Sequence, residues 1–271
     1  MRAGVGSPNR LAFPFVLSEV EARPSTSLRA NDTVSSHKTV LVDWPEARRI
    51  IRSSFPPIDL FEDIADPADW PLLLAAEAKT NPRLALSVGA LDLVPPERRV
   101  SGPGASLVMA PFTHVSRDRP SRWSDGSYGV LYVADSFGTA LAETIHHFAR
   151  FMRATDQPPG WTSQFRELVV PVKVRAERVG KGETALLDPR DYAAAQAHGA
   201  ARRAAGTEAL LWPSVRAKGG ECLALFWPDL CGPPVQARHL DYHWDGARVD
   251  RVRDAGTREE WAVGEGAAGP A

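Results

Sequence analysis

A short apolar run followed at once by an amphipathic helix is the pattern that most restricts how this chain can fold. Residues 130–134 are apolar almost without a break, which is typical of a buried strand. Asp135, Ser136 and Thr139 then offer candidate helix N-caps. Apolar residues recur at steps of three and four as far as Arg153, namely Leu141, Ile145, Phe148 and Met152. The sequence therefore predicts a buried strand followed by a helix with one apolar face.

Two helices are predicted in the N-terminal part of the chain. Pro45 behind a capping residue is typical of the first turn of a helix, here a short one over 43–51. Asp66 or Asp69 can cap a second helix that runs through 72–79 and ends before the next proline.

Strands and one further helix are predicted after these elements. The segments predicted as strands are 107–112, 165–174, 209–212 and 222–227. Pro171 suggests an edge or a bulge in its strand. Asp188 ahead of a proline predicts the start of a helix that Gly206 ends. Asp245 followed by Gly246 predicts a hairpin turn. Several short strands behind a helical N-terminal part indicate an α+β fold of mostly antiparallel strands.

Composition excludes several classes of protein. The chain has 271 residues, 44% of them hydrophobic and 24% charged, which is typical of a globular protein. A net charge of -1 gives no general footprint for nucleic acid. No run approaches the roughly 18 apolar residues of a membrane-spanning helix. Cys222 and Cys231 are too few for a disulfide framework, so we expect reduced thiols and a cytoplasmic location.

The chain divides into three parts by composition. Residues 1–40 are rich in Arg, Ser and Pro without a sustained period, so we expect this segment to be disordered and translation to start downstream of its first residue. Residues 41–255 are predicted to form the folded domain. Residues 256–271 are rich in Gly and Ala and are predicted to be a flexible tail.

Common motifs for metals, phosphates and nucleophiles are absent from the sequence. Glu143 and His146 form a Glu-x-x-His pair, but the second copy that di-iron bundles use is missing, and so is H-E-x-x-H. The glycines at 126 and 129 match neither G-x-G-x-x-G nor a P-loop. Ser214 lacks the G-x-S-x-G elbow of a nucleophilic serine. We therefore predict no metal site.

Two motifs resemble the RES domain family. The segment RWSDGSYGVLYVADSFGTALAE places Arg122 ten residues before Tyr132 and Glu143 eleven residues after it, as in that family. The later segment LLWPSVRAKGGECLALFWPD resembles the second family motif and places the family serine at Ser214. The earlier segment RRIIRSSFPPIDLF makes Arg49 the candidate for a further functional arginine, and Arg48 and Arg52 are the alternatives. The resemblance extends over about 44–252.

The resemblance implies an ADP-ribosyltransferase-like fold and NAD as the substrate. RES proteins are typically toxins of toxin–antitoxin pairs, and an Xre-like antitoxin covers the NAD cleft. Their activities include hydrolysis or phosphorolysis of NAD and ADP-ribosyl transfer to a protein such as ribose-phosphate pyrophosphokinase. The resemblance leaves the acceptor of ADP-ribose open.

The residue types suit this chemistry. Glu143 could stabilise an oxocarbenium-like transition state, as carboxylates do in glycoside cleavage. Arg49 and Arg122 could hold the pyrophosphate through charge-assisted hydrogen bonds. Tyr132 could stack on nicotinamide or bond to the ribose, and Ser214 would act as a hydrogen-bonding residue. His146 and His147 are expected to support Glu143 from the same helix. The alternatives are that Tyr132 is only a core residue, that Ser214 only serves its turn, and that the chain is a non-catalytic module acting through its antitoxin.

Overall fold

The computed structural model describes residues 38–55, 70, 72 and 88–264. In these residues the strands are β1 Thr39–Arg52, β2 Leu131–Ala134, β3 Gly160–Arg178, β4 Ala209–Pro213, β5 Glu221–Leu225, β6 Val235–Trp244, β7 Val249–Asp254 and β8 Glu260–Ala262. The helices are α1 Ala105–Thr113, α2 Phe137–Arg153 and α3 Ala193–Ala204, with 3-10 turns at Leu91–Leu93, Pro96–Arg98 and Pro228–Leu230. This is an α+β fold.

The eight strands in the described part of the chain form one sheet in the order β1-β2-β5-β4-β3-β6-β7-β8. β1 also pairs with β3, so that β1, β2, β5, β4 and β3 close into a ring. All of these pairings are antiparallel except β3 with β4. β1 and β2 share only the pair Arg48 with Ala134, whereas β1 follows β3 along nearly its whole length. The ring is therefore weakly joined between β1 and β2.

The main core fills the inside of this ring. Alternate residues of β3, namely Leu168, Val170, Val172 and Val174, point into it, as the period of two predicts. They meet apolar residues of β2, β4 and β5, and α1 contributes Val108, Met109 and Phe112. Pro171 lies where pairing of β3 with β6 has ended and pairing with β4 has not begun, so its missing N–H costs the sheet little.

The predicted unit of strand and helix is confirmed as β2 and α2. The Ser136 hydroxyl accepts a hydrogen bond from the Thr139 backbone N–H and caps α2, which ends at Arg153. Leu141, Phe148 and Met152 are buried in a second apolar cluster against β6 and β7. The predicted hairpin is confirmed as well, because Asp245 and Gly246 lie in the turn between β6 and β7.

Two of the predicted elements have the wrong type. The short helix predicted over 43–51 is part of β1, where a register shift between Trp44 and Ala47 accommodates Pro45. The predicted strand over 107–112 is helix α1, because a short apolar run buried on several sides has no period that separates the two states. In both cases contacts with the ring of strands override the local signal.

Smaller differences concern the C-terminal half. Helix α3 begins at Ala193 rather than next to Asp188, whose carboxylate instead accepts the N–H groups of Arg190 and Asp191 in the preceding turn. Part of the predicted tail forms β8, which pairs with β7.

Two predictions for the N-terminal part concern residues that are mostly outside the described ranges. The predicted helix through 72–79 lies almost wholly outside them; Trp70 and Leu72, which are described, are helical. The predicted disordered segment over 1–40 lies outside them up to residue 37, but its last two residues, Thr39 and Val40, are the start of β1.

None of the helices in the described ranges is long and apolar enough to cross a membrane. The same ranges hold no group of three or more His, Cys, Asp or Glu side chains placed to bind a metal ion.

Candidate functional site

A cavity of about 380 Å³ opens where β1 and β2 are weakly joined. Its walls are the last part of β1, strand β2, one face of α2 and the segment before the turn at Asp125. The residues that line it are Arg48, Arg49, Ile50, Pro120, Ser121, Arg122, Tyr132, Val133, Ala134, Ala140, Glu143, Thr144, His147, Arg150, Tyr192, Trp212 and Cys222. Four of the five predicted site residues are in this set, and the fifth, Ser214, contacts it through Glu143. A cavity of this size falls within the usual range for small-molecule sites.

Glu143 and Ser214, 71 residues apart, are joined directly. The Ser214 hydroxyl donates a hydrogen bond of 2.6 Å to Glu143 Oε1. The same Ser214 Oγ accepts hydrogen bonds from the backbone N–H groups of Arg216 at 3.1 Å and Ala217 at 2.9 Å. Those two bonds fix the direction of the hydroxyl proton, which leaves Glu143 as its acceptor. Ser214 Oγ thus stabilises its own turn and also contacts the carboxylate of Glu143.

Arg122 is buried in the lining of the cavity, with 8% of its surface exposed. Its Nη1 donates to the carbonyl oxygens of Leu186 at 2.9 Å and Asp188 at 3.0 Å. The guanidinium lies over the ring of Tyr192, 4.5 Å from its centroid. The Nη1 atom of Arg122 therefore anchors the segment before α3, and the side chain also lines the cavity.

Tyr132 reaches the cavity from β2, but its hydroxyl is already engaged. Its Oη lies 2.8 Å from Ser121 Oγ and accepts a hydrogen bond of 3.1 Å from the Trp123 backbone N–H. Its ring meets Trp212 edge to face. Burial raises the pKa of Tyr132 to about 12, so the phenol remains protonated at neutral pH. The geometry suits a rigid aromatic wall better than a ribose hydroxyl ligand.

Arg49 crosses the weak junction between β1 and β2. Its Nη1 donates a hydrogen bond of 3.0 Å to the carbonyl oxygen of Tyr132, and its buried Nε has no hydrogen-bond acceptor among the described residues. Burial lowers the pKa of Arg49 to about 10, which still leaves it charged at neutral pH. Of its two competitors, Arg48 also lines the cavity but pairs with the buried Glu167, while Arg52 is not among the lining residues.

His146 and His147 lie on different sides of α2. His147 lines the cavity one turn after Glu143, whereas His146 lines a second cavity behind the helix. Partial burial lowers the pKa of His147, and Glu143 opposes this shift by favouring the charged ring. Partial burial also lowers the pKa of His146, to about 4. Only His147 is thus placed to support Glu143 at the cavity.

Sequence reasoning missed several lining residues. Tyr192 and Trp212 gave no signal beyond being aromatic, and Arg150 is recognisable only as lying seven residues after Glu143 on the helix. The sequence predicted only that Cys222 is a reduced thiol. Its Sγ lies 3.8 Å from Glu143 Oε1, and burial followed by the charge of Glu143 raises the pKa of this thiol well above its usual value. It therefore remains a neutral thiol beside the carboxylate.

The charge of the cavity is strongly positive. Four guanidinium groups line it, against the single carboxylate of Glu143. Arg48 is largely compensated by Glu46 and Glu167, which lie 2.8 Å and 3.1 Å from it. The positive charges of Arg49, Arg122 and Arg150 remain, and together they exceed the one negative charge in the lining. Such a site attracts an anionic ligand and presents one carboxylate to it.

Similarities to known proteins and to a family model identify the family of this chain. The uncharacterized protein y4oC of Sinorhizobium fredii is 27% identical over 209 residues, which cover 75% of this chain and 85% of that protein. The crystal structure of the M. tuberculosis MbcT–MbcA toxin–antitoxin complex matches 45% of this chain and 70% of the solved chain, at 15% identity and a TM-score of 0.33, too weak to equate the folds. The RES domain model matches residues 96–245, more than half of the sequence. This chain belongs to the RES domain family.

Proposed function

We propose that this protein cleaves the bond between nicotinamide and ribose in NAD. The observation that carries the proposal is the hydrogen bond from Ser214 to Glu143 at the wall of an arginine-lined cavity. It unites the two motifs that resemble the RES family, and it orients a carboxylate toward a space suited to an anionic, drug-sized ligand. The chemistry of the nicotinamide–ribose bond and the residues that line the cavity both support this cleavage reaction.

Glu143 is suited to stabilise the transition state. Nicotinamide leaves NAD as a neutral molecule, so the departing ring needs no proton, and the barrier lies in the positive charge that develops on the ribose. A carboxylate near that charge, or bonded to a ribose hydroxyl, lowers the barrier by electrostatic stabilisation. Ser214 would hold the Oε1 atom of Glu143 in place during this step, and the neutral Cys222 thiol would add no competing charge.

The arginines fit the two phosphates of NAD. The unsatisfied Nε of Arg49 is a donor already stripped of water, and a phosphate oxygen would satisfy it. Arg122 would provide a second cation in the same lining, held rigid by its two carbonyl acceptors and Tyr192. The Tyr132 ring would form an apolar surface for nicotinamide or the ribose face.

In the cell, we propose that this activity makes the protein the toxin of a toxin–antitoxin pair. Loss of NAD, or transfer of ADP-ribose to a protein, would arrest growth. An Xre-like antitoxin covering the cavity would silence the toxin, in keeping with the family. Water, phosphate and a protein side chain are the three candidate acceptors of ADP-ribose.

The test is release of nicotinamide from NAD by the purified protein, followed by chromatography. The wild-type protein is expected to release nicotinamide, and Glu143→Gln, which keeps the shape of the side chain without its charge, is expected to lose about a hundredfold or more in rate. Glu97→Gln, at an exposed position outside the cavity lining, is the matched control and should retain full activity. Mass spectrometry of the products with phosphate and cell extract present identifies the acceptor. Undiminished activity in Glu143→Gln would rule out the proposed role.

A further inference from the structure

A second cavity lies behind helix α2. Its volume is about 400 Å³, and it is bounded by α2, the turn after β4, the hairpin between β6 and β7, and the chain after β8. Its residues on α2 include Ala142, His146, Ala149 and Arg153, whereas Glu143, His147 and Arg150 face the first cavity. The two sets are each spaced by three, four or seven residues and are offset by one position, so they occupy neighbouring faces of the same helix. We call this space the rear cavity.

The polar groups of the rear cavity are nearly all cationic. Arg153, Arg216 and Arg248 line it together with His146, and no carboxylate is among the lining residues in the described part of the chain. Arg153 donates from Nε to the carbonyl oxygen of Ala247, a neutral acceptor. Arg248 lies 3.5 Å from Asp245, an ion pair at the exposed turn. Three arginines thus line one space, with one carboxylate nearby.

Arg216 carries the most specific signal. Its Nη2 donates to the carbonyl oxygen of Pro189, while its buried Nε has no acceptor among the described residues. A buried donor without an acceptor is costly, and an anion in the cavity would supply one. The positive field is also felt by His146, whose lowered pKa owes part of its shift to Arg216 and Arg153, after burial. His146 is neutral at pH 7 and adds a hydrogen-bonding ring without more charge.

We infer that the rear cavity binds a phosphate group, either free or as part of a small phosphate ester. Guanidinium groups present paired N–H donors that match phosphate oxygens, and a concave surface of one charge sign concentrates anions. The remaining lining is apolar, from Ile145, Val249 and Val263 among others, and would accommodate the organic part of an ester. This site is separate from the cavity that holds Glu143.

The rear cavity is nevertheless connected to Glu143. The backbone N–H of Arg216 donates to Ser214 Oγ, and that hydroxyl donates to Glu143 Oε1. A phosphate held by the Arg216 side chain would restrain the same turn that orients the carboxylate. We therefore expect occupancy of the rear cavity to affect the Ser214 turn.

The test is a titration with inorganic phosphate, and in parallel with adenosine 5′-monophosphate, followed by NMR of the arginine Nε–Hε groups. The signals of Arg153, Arg216 and Arg248 should shift together and saturate, which distinguishes this site from binding near Arg49 and Arg122. The double variant Arg153→Gln/Arg248→Gln removes two exposed side chains and should weaken the response of Arg216 about tenfold or more.

The matched control is Arg175→Gln/Arg258→Gln, which removes two exposed arginines that line neither cavity and should leave the titration unchanged. Tighter binding of the nucleotide than of phosphate would assign an ester as the ligand, and equal binding would assign phosphate itself. An Arg216 signal that stays fixed, or that shifts equally in the double variant, would overturn the inference. Because the readout is binding, its result is independent of whether NAD is cleaved.

Discussion

Replacing Ser214 by alanine removes three hydrogen bonds with one atom. Its Oγ donates to Glu143 Oε1 at 2.6 Å and accepts from the backbone N–H groups of Arg216 and Ala217. Without it, the carboxylate loses a donor and the turn loses an acceptor. The first loss affects the chemistry proposed for Glu143, and the second affects only the turn, so the two effects can be measured apart.

The magnitude follows from the kind of bond that is lost. A hydrogen bond to a charged group contributes about 1.5–3 kcal/mol, and a tenfold change in rate corresponds to about 1.4 kcal/mol. If the bond to Glu143 is needed in the transition state, Ser214→Ala should lower kcat/KM by about tenfold to a hundredfold. The turn is partly exposed, so water can replace Oγ as acceptor, and the free energy of unfolding should fall by only about 1 kcal/mol.

The assay is nicotinamide release at several NAD concentrations, together with thermal unfolding of each variant. Ser214→Thr retains the hydroxyl and is the matched control: it should recover most of the activity that Ser214→Ala loses. Equal activity of Ser214→Ala and the wild-type protein would refute the orienting role. So would a threonine variant that folds as stably as the wild type yet is as inactive as the alanine variant.

Further predictions concern the arginine at the strand junction, one histidine and one glycine. Arg49→Gln should raise KM for NAD about tenfold, because a desolvated phosphate donor is lost, while Arg52→Gln, outside the cavity lining, should leave KM unchanged. The folded-state pKa of His146 is about 4, below the usual 6.5. Between pH 4 and 6.5 the imidazole is therefore protonated in the unfolded chain and neutral in the folded chain. The free energy of unfolding should therefore fall as the pH drops from about 6.5 to 4. Chemical denaturation at several pH values in this range should show a smaller fall for His146→Gln than for the wild type. Gly199→Ala should lower the melting temperature despite the helix propensity of alanine, because the new methyl would clash with the Trp123 carbonyl. Gly182→Ala, which meets nothing within 4 Å, should melt close to the wild type.

The elements predicted correctly are those with a strong local signal. The period of apolar residues and the Ser136 cap define α2, the turn at Asp245 and Gly246 defines a hairpin, and alternation defines the buried face of β3. In each case the residues that set the signal are neighbours along the chain. The five candidate site residues came from two motifs and one earlier segment that resemble one family, and four of the five line one cavity.

The elements predicted wrongly are those whose signal is set by distant partners. Pro45 suggested a helix start, but pairing with β3 along nearly the whole of β1 outweighs one residue's preference, and a register shift accommodates the proline. The apolar run at 107–112 is equally suited to a strand or a helix, and its packing against the ring of strands decides for α1. Long-range contacts carry this information, and a single sequence does not display them.

The sequence by itself indicated the candidate residues of the site. The two motifs supplied the carboxylate of Glu143, the buried Arg122 and the hydroxyl of Ser214, because residue types and spacings are local properties. Tertiary structure alone decided how they meet. Closure of the strands into a ring places β1 beside β2, brings Arg49 to the cavity and aims Ser214 at a carboxylate 71 residues away. It also separates His147 from His146 and forms the rear cavity, since both depend on which faces of α2 the neighbouring strands and turns cover.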